Sequence, residues 1–217
     1  MATHETARVT RARRAARLHG IYAIVNENGG DPRAFVTAIL AAGVRVVQYR
    51  AKDGIVAEHL RTIRELTRDA EALLIANDDW RAAIVFDCDG VHLGPDDHGF
   101  AQVPVVRAQL EDRLIGLSCG SVTEARAAQV AEVDYLGVGS VYATASKSDA
   151  GVPIGLDGLR AVAESTKLPV AAIGGITLEH LEDVRATGVA MAAVISAIAN
   201  APSPGDAARE LVATWSQ

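Results

Sequence analysis

The stretch IYAIVNENGGDPRAFVTAILAAGVRVVQYR, residues 21–50, contains a complete strand–helix–strand unit. Its two ends, residues 21–25 and 44–50, are short apolar runs rich in β-branched residues, which predicts two strands. Between them, residues 32–42 carry apolar side chains at helical spacing, and Gly43 stands where such a helix should stop. A strand, a helix and a second strand in this order are typical of a parallel sheet.

The same pattern repeats to the end of the chain. Further strands are predicted at residues 72–77, 90–94, 113–119, 133–139, 169–175 and 188–196. Further helices are predicted near residues 55–70, 79–86, 102–110, 123–131, 156–166, 177–186 and 204–215. Strict alternation of strands and helices in this number predicts an α/β fold, a single (β/α)8 TIM barrel. A doubly wound open sheet is the structural alternative, but it rarely uses eight near-equal units.

The composition excludes several classes of protein. A net charge of −6 argues against a general nucleic-acid binder, and two cysteines form neither a disulfide framework nor a paired metal motif. The longest apolar stretch, near residues 189–199, is too short for a membrane helix, and the N-terminus lacks the apolar segment of a signal peptide. We therefore expect a cytoplasmic protein without nucleic-acid or membrane partners.

We divide the chain into an Arg-rich N-terminal arm or helix, residues 1–19, and a barrel domain, residues 20–217. The arm carries Arg8, Arg11, Arg13, Arg14 and Arg17. A nucleic-acid contact or a targeting peptide would use such a charge cluster. Because the five arginines do not line one helical face, we interpret the arm as a solvated first helix or a frayed tail.

In a barrel of this kind, functional side chains lie at the carboxyl ends of the strands. Gln48 and Arg50 share one face of the second strand by its two-residue period, and Lys52 follows. Other polar or glycine residues at strand ends are Asn77, Asp78, Asp79, Asp96, Asp97, Ser118, Thr144, Ser146, Lys147, Gly174, Gly175 and Ser196. We expect these residues to converge on one mouth.

Three cations and two separated acids at one mouth predict a magnesium ion facing a phosphate-rich ligand. Magnesium takes oxygen ligands, usually one or two carboxylates and substrate phosphates. Arg50 would contact phosphate with two parallel hydrogen bonds, whereas Lys52 and Lys147 would act as point charges. A Gly-Gly turn and the backbone after Ser196 predict a second anion site.

Each residue taken singly also has a purely structural interpretation. An Asn-Asp-Asp sequence is a common helix cap, and a Gly-Gly pair can simply form a turn. His92 and His98 have no partners at metal-ligand spacing, so we expect His92 to pack or to cap. The functional interpretation depends on the residues occurring together.

Seven motifs, taken together, resemble the thiamine phosphate synthase family. They are QYRAK (48–52), NDD (77–79), GVHLGPDD (90–97), IGLS (115–118), DYLGVGSVYATASK (134–147), AIGGIT (172–177) and VISAI (194–198). The likeness is colinear from about residue 20 to 212. It implies an enzyme that joins a hydroxymethyl aminopyrimidine pyrophosphate to a thiazole phosphate, forming thiamine phosphate and releasing pyrophosphate.

The resemblance also implies residue roles. The pyrimidine pyrophosphate would be held by Gln48, Arg50, Lys52, Asn77, Ser118 and Lys147. Among these, Arg50, Lys52, Ser118 and Lys147 would act in catalysis. Asp78 and Asp97 would bind Mg2+. The thiazole phosphate would contact Thr144, Ser146, Gly175, Ile195 and Ser196.

The chain departs from the family pattern at three places. Ala143 replaces a usual proline, Ser146 replaces a commoner threonine, and Cys119-Gly120 follows Ser118 where a histidine is usual at the second position. A related thiazole tautomerase is expected to use that histidine, so Gly120 counts against this alternative. The intact acid pair counts against a non-catalytic sensor of thiamine precursors.

A sugar-phosphate isomerase or aldolase barrel is a more distant alternative. Such an enzyme needs a well-placed base or a Schiff-base lysine deep in a strand, and the strands predicted here offer neither. The sequence permits a homo-oligomer. It does not decide whether the thiazole substrate carries a carboxylate.

Overall fold

Eight parallel strands close into a barrel in the order in which they occur along the chain. The computed structural model describes residues 2–28, 30–97, 99–144 and 152–217, with side chains from residue 5 onward. The strands are β1 (Gly20–Asn26), β2 (Val46–Arg50), β3 (Leu73–Asn77), β4 (Gly90–Leu93), β5 (Leu114–Cys119), β6 (Tyr135–Val138), β7 (Val170–Ile173) and β8 (Met191–Val194). The predicted TIM barrel is confirmed, and the open-sheet alternative is wrong.

Helices connect the strands around the outside of the barrel. They are α1 (Ala2–Ala15), α2 (Arg33–Ala41), α3 (Ala57–Asp69), α4 (Trp80–Val85), α5 (Val103–Leu110), α6 (Val122–Gln129), α7 (Gly155–Glu164), α8 (Leu181–Arg185), α9 (Ser196–Ala199) and α10 (Pro204–Trp215). Within the described ranges, no helix is long and apolar enough to cross a membrane.

The ends of several predicted elements differ from the structure, and at two places the kind of element also changes. The helix predicted over residues 177–186 begins as a 3-10 turn, Leu178–His180, and only then continues as α8. The turn is tightened by the imidazole of His180, which accepts a hydrogen bond from the Thr177 backbone N–H at 3.3 Å. The strand predicted over 188–196 is shorter, because its apolar run extends beyond β8 into α9.

The apolar core has two layers. One layer lies between the strands and the surrounding helices, and the other fills the barrel interior. The interior layer holds Tyr22, Ile24, Val46, Leu73, Ile75, Leu114, Tyr135, Ala171, Met191 and Ala193, with Leu18 beneath them. Inward positions alternate along each strand, so the position after the last apolar layer faces the carboxyl mouth.

Helix α1 lies at the opposite, amino end of the barrel. The guanidinium Nε of Arg11 lies 2.6 Å from Oδ1 of Asp134, which precedes β6, and that of Arg14 lies 3.2 Å from Oδ1 of Asp89, which precedes β4. Arg17 donates to the backbone carbonyl of Glu71. Two of the five arginines, Arg11 and Arg14, are therefore partly buried in ion pairs rather than solvated, whereas Arg17 is exposed.

Candidate active site

Two adjoining cavities open at the carboxyl end of the barrel. We call the first, of about 280 Å3, the polar cavity; its lining includes Gln48, Arg50, Lys52, Asn77, Asp78, Asp97 and Ser118. We call the second, of about 400 Å3, the glycine-rich cavity; its lining includes Thr144, Gly174, Gly175, Ile195 and Ser196. Both cavities are lined by His92, Pro95, Ser118, Gly137, Ile173, Ala193 and Ile195, so they meet along a common wall.

Strand β2 supplies one wall of the polar cavity. Gln48 is almost fully buried, and its Nε2 donates to the hydroxyl of Tyr22 at 2.7 Å. Arg50 is half-buried and donates to Oδ1 of Asn26 at 3.1 Å. Lys52 is exposed on the loop beyond the strand. The end of β2 thus presents an amide and two cations at increasing distance from the core.

The outward-facing Tyr49 fixes the loop that carries Lys52. Its hydroxyl donates to Oε2 of Glu27 at 2.6 Å and accepts from the backbone N–H of Val56 at 3.2 Å. The same carboxylate oxygen lies 2.9 Å from Nδ1 of His59. Burial and the hydrogen bond to Glu27 raise the pKa of Tyr49, so its hydroxyl keeps the proton that it donates. The loop is therefore tied to β1 and α3 at its far end.

Asp78 and Asp97 meet across the ends of β3 and β4. The backbone N–H of Asp78 donates to the carbonyl of His92 at 2.8 Å, and the carboxylate of Asp97 accepts from the N–H of Gly94. Partial burial, together with the hydrogen bond and the charge of Asp97, raises the pKa of Asp78 to about 7, although nearby Arg50 opposes the shift. A pair of carboxylates that repel each other in this way fits a divalent cation.

The described residues contain no cluster of three or more His, Cys, Asp or Glu side chains that could hold a metal ion. A magnesium ion commonly takes one or two protein carboxylates and completes its shell with phosphate oxygens and water. The donor set of Asp78 and Asp97 fits that requirement.

A hydrogen-bonded row of side chains lies beneath the cavities; Tyr22 lines the polar cavity, and His92 and Ser118 line both. The hydroxyls of Tyr22 and Tyr135 lie 3.0 Å apart, and Tyr135 lies 3.2 Å from Nδ1 of His92. The other ring nitrogen of His92 lies 3.2 Å from Oγ of Ser118. Sequence reasoning missed Tyr22 and Tyr135 and expected His92 only to pack or cap. The two-residue period of β4, which turns His92 inward, is the signal that could have found it.

The Gly-Gly turn after β7 allows the loop after β6 to approach closely. Gly174 and Gly175 both have positive φ, +102° and +66°. A Cβ on Gly175 would lie only 2.5 Å from the carbonyl oxygen of Ala143 and 2.8 Å from Cβ of Tyr142. Glycine at this turn is therefore required for the packing of the loop after β6.

The departure at Cys119-Gly120 lies beside the glycine-rich cavity. Cys119 is buried, whereas the exposed Gly120 donates its backbone N–H to Oε2 of Glu124 at 2.7 Å. The carboxylate of Glu124 lines the cavity here. Of the predicted site residues, Ser146 and Lys147 lie outside the residues that the structure describes, as does His98.

These features define a class of protein, a TIM-barrel enzyme whose mouth carries cations and paired carboxylates. A family model described as thiamine monophosphate synthase matches residues 21–198. A thiamine-phosphate synthase from Herpetosiphon aurantiacus is 42% identical over 204 residues, 93% of this chain and 97% of the relative. One from Archaeoglobus fulgidus is 46% identical over 191 residues, covering 86% and 88%.

A solved structure gives the same result. The thiamine phosphate pyrophosphorylase from Pyrococcus furiosus superposes with a TM-score of 0.83 at 37% identity, covering 92% of this chain and 96% of that one. The chain belongs to the thiamine monophosphate synthase family. The expected activity, a transferase of thiamine biosynthesis that forms thiamine phosphate, is confirmed, and the tautomerase and sensor alternatives are not favoured.

Proposed function

We propose that the polar cavity binds the pyrimidine pyrophosphate and that the glycine-rich cavity binds the thiazole phosphate. One observation carries this assignment. The polar cavity is lined by Gln48, Arg50, Lys52, Asn77, Asp78, Asp97 and Ser118, all seven described residues expected to hold the pyrophosphate and its metal. The glycine-rich cavity is lined by Thr144, Gly175, Ile195 and Ser196, all four described residues expected to hold the thiazole phosphate.

The first chemical step breaks the bond between the pyrimidine methylene carbon and the pyrophosphate oxygen, and the electron pair leaves with pyrophosphate. Arg50 and Lys52 stabilise the charge that develops on that oxygen, and Lys147 joins them in this proposal. Each charge-assisted hydrogen bond contributes about 1.5–3 kcal/mol. The amino group of the pyrimidine ring stabilises the methylene cation, so no nucleophilic side chain is needed.

Asp78 and Asp97 would hold Mg2+ at the rim of the polar cavity. Bound there, Mg2+ supplies charge neutralisation for the leaving pyrophosphate. In this proposal the two carboxylates also fix the orientation of the pyrophosphate relative to Arg50. The side chain of Asn77, beside Asp78, donates to the same group of oxygens.

The second step forms a bond between the thiazole nitrogen and the methylene carbon. The lone pair of the nitrogen supplies the electrons, so the step needs no general base. Ser196, Thr144 and the Gly175 turn anchor the phosphate, which places the ring at the common wall of the two cavities. Ile173, Ala193 and Ile195 make that wall apolar and exclude water from the cation.

Two phosphorylated small molecules are thus the proposed substrates. The residue types fit these substrates because both carry anionic groups that face cations or backbone amides. A homo-oligomer and a cytoplasmic location stay predictions of the sequence.

The proposal is tested by incubating the purified chain with the pyrimidine pyrophosphate, the thiazole phosphate and Mg2+. We expect pyrophosphate and thiamine phosphate to form in equal amounts, and neither product to form when one substrate or the metal is omitted. Absence of pyrophosphate release with every divalent metal tried would contradict the proposed function.

A further inference from the structure

The side chains on the cavity floor form one continuous hydrogen-bonded row. It begins at Nε2 of Gln48, which lies 2.7 Å from the hydroxyl of Tyr22, and that hydroxyl lies 3.0 Å from the hydroxyl of Tyr135. The row continues from Tyr135 to Nδ1 of His92 at 3.2 Å, and Nε2 of His92 lies 3.2 Å from Oγ of Ser118. Both ends of the row line the polar cavity. The row therefore joins two proposed substrate contacts that lie on opposite sides of the barrel.

Two glycines make room for this row. A Cβ on Gly116 would lie 2.1 Å from Cζ of Tyr135, and a Cβ on Gly137 would lie 2.7 Å from Cε1 of His92. Tyr22 and Tyr135 are 2% and 0% exposed, and burial raises the pKa of both phenols. Both hydroxyls are therefore neutral, and each has a single proton to donate.

The supply of protons restricts the direction of the row. Each hydroxyl donates one hydrogen bond, and a neutral imidazole donates from one nitrogen and accepts at the other. In one direction Gln48 donates to Tyr22, Tyr22 donates to Tyr135 and Tyr135 donates to Nδ1 of His92. In that direction His92 carries its proton on Nε2 and donates to Ser118, whose own proton then points into the cavity.

The opposite direction would leave Ser118 without a proton for the substrate. Ser118 would donate to His92, Nδ1–H of His92 to Tyr135 and Tyr135 to Tyr22, whose oxygen can accept from both Tyr135 and Gln48. A pyrophosphate offers only acceptor oxygens, so a serine that merely accepts would face it unfavourably.

We propose that Tyr135 and His92 are positioning residues. Tyr135 holds His92 as the Nε2–H tautomer, and His92 then donates to Ser118, so that the Ser118 hydroxyl can donate its own proton to the leaving pyrophosphate. The inference rests on the proposed function of Ser118. Neither Tyr135 nor His92 needs to exchange a proton with substrate. Their effect is to fix one hydroxyl rotor before the charge on the leaving group develops.

The tautomer of His92 tests the direction in the unmodified protein. Histidine labelled with 15N gives distinct long-range 1H–15N patterns for the two neutral tautomers, and the His92 signals are assigned by their loss in His92→Gln. At a pH where the imidazole is neutral, we expect the Nε2–H pattern. An Nδ1–H pattern would overturn the proposal without bearing on the activity, and this measurement does not depend on a variant's turnover.

A double-mutant cycle tests whether the row acts through Ser118. We expect Tyr135→Phe to lower kcat roughly ten- to hundredfold, the effect of one hydrogen bond to a charged group, and to leave the KM for the thiazole phosphate unchanged. In a Ser118→Ala background the same change should have no further effect. Multiplied effects in the double variant would show a separate structural role and overturn the proposal.

Tyr22→Phe is the matched comparison, because it also removes a buried hydroxyl but leaves the bond from Tyr135 to His92 in place. We expect its kcat to fall less than that of Tyr135→Phe, and equal losses would contradict the proposal. Wild-type turnover in Ser118→Ala alone would instead contradict the proposed role of Ser118. Tyr135 and His92 could then not act on catalysis through Ser118.

Discussion

Asp78 and Asp97 are neighbours in the lining of the polar cavity, and the pKa of Asp78 rises from 3.8 to about 7 as a result of its partial burial and of this neighbour. Two acids at such a distance repel each other when both are ionised. A divalent cation between them would remove that repulsion and would face the pyrophosphate at the same time. This pair is therefore the proposed site of the metal.

Asp78→Asn should reduce turnover about a hundredfold or more, because loss of one metal carboxylate removes several kcal/mol of charge stabilisation, and each 1.4 kcal/mol is a factor of ten. Turnover is measured over a titration of Mg2+. Asp79→Asn is the control, since Asp79 only caps α4 through the N–H groups of Arg81 and Ala82, and asparagine caps equally well. Near-wild-type turnover in Asp78→Asn would refute the metal assignment.

Arg50→Lys should lower kcat/KM for the pyrimidine pyrophosphate about tenfold or more. Lysine keeps the charge but loses the planar pair of donors that matches phosphate. Steady-state kinetics with the pyrimidine substrate varied measure the effect. Arg61→Lys, on the exposed face of α3, is the control that should leave kcat/KM unchanged. Equal kinetics for the two variants would exclude a bidentate contact by Arg50.

Ser196→Ala should raise the KM for the thiazole phosphate about tenfold, the effect of one hydrogen bond to a charged group, and should leave the KM for the pyrimidine substrate within about twofold. The comparison of the two KM values is the measurement. Ser216→Ala, near the exposed C-terminus, provides the control. Equal increases for both substrates would argue against two separate anion sites. Gly175 variants are less informative, because a side chain there strikes the loop after β6.

Arg107→Met should lower the free energy of unfolding by about 3–5 kcal/mol, because it removes a cation that neutralises the buried carboxylate of Asp134. Nη2 of Arg107 lies 2.6 Å from Oδ2 of Asp134, and the two side chains are 8% and 5% exposed. Urea denaturation measures the change. Arg209→Met breaks an exposed pair with Asp206 and should change the denaturation midpoint far less. Similar midpoints for the two variants would show that the buried pair contributes no more than the exposed one.

The site residues at the strand ends could be predicted because the inward-facing residues change from apolar to polar at the mouth. On β2 the inward series runs from Val46 through Gln48 to Arg50, and the two-residue period alone places all three. The bounds of β8 could not be predicted, since the apolar run continues into α9. Apolarity identifies what is buried but does not show where a strand becomes a helix.

The row on the cavity floor depends on register, which the sequence does not contain. His92 pairs with Gly116, and Gly116 pairs with Tyr135 on the next strand. The missing side chain at Gly116 lets the two rings meet across it. Likewise, Arg11 and Arg14 each pair with an aspartate just before a strand, Asp134 before β6 and Asp89 before β4. Such contacts join residues about 75 to 123 positions apart in sequence.

The assignment of one substrate to each cavity is tested most directly by a crystal structure with Mg2+, pyrophosphate and thiazole phosphate bound together. We predict the metal between Asp78 and Asp97, the pyrophosphate against Arg50 and Lys52, and the thiazole phosphate at Gly175 and Ser196. Both anions in one cavity, or a metal away from the two aspartates, would contradict the account.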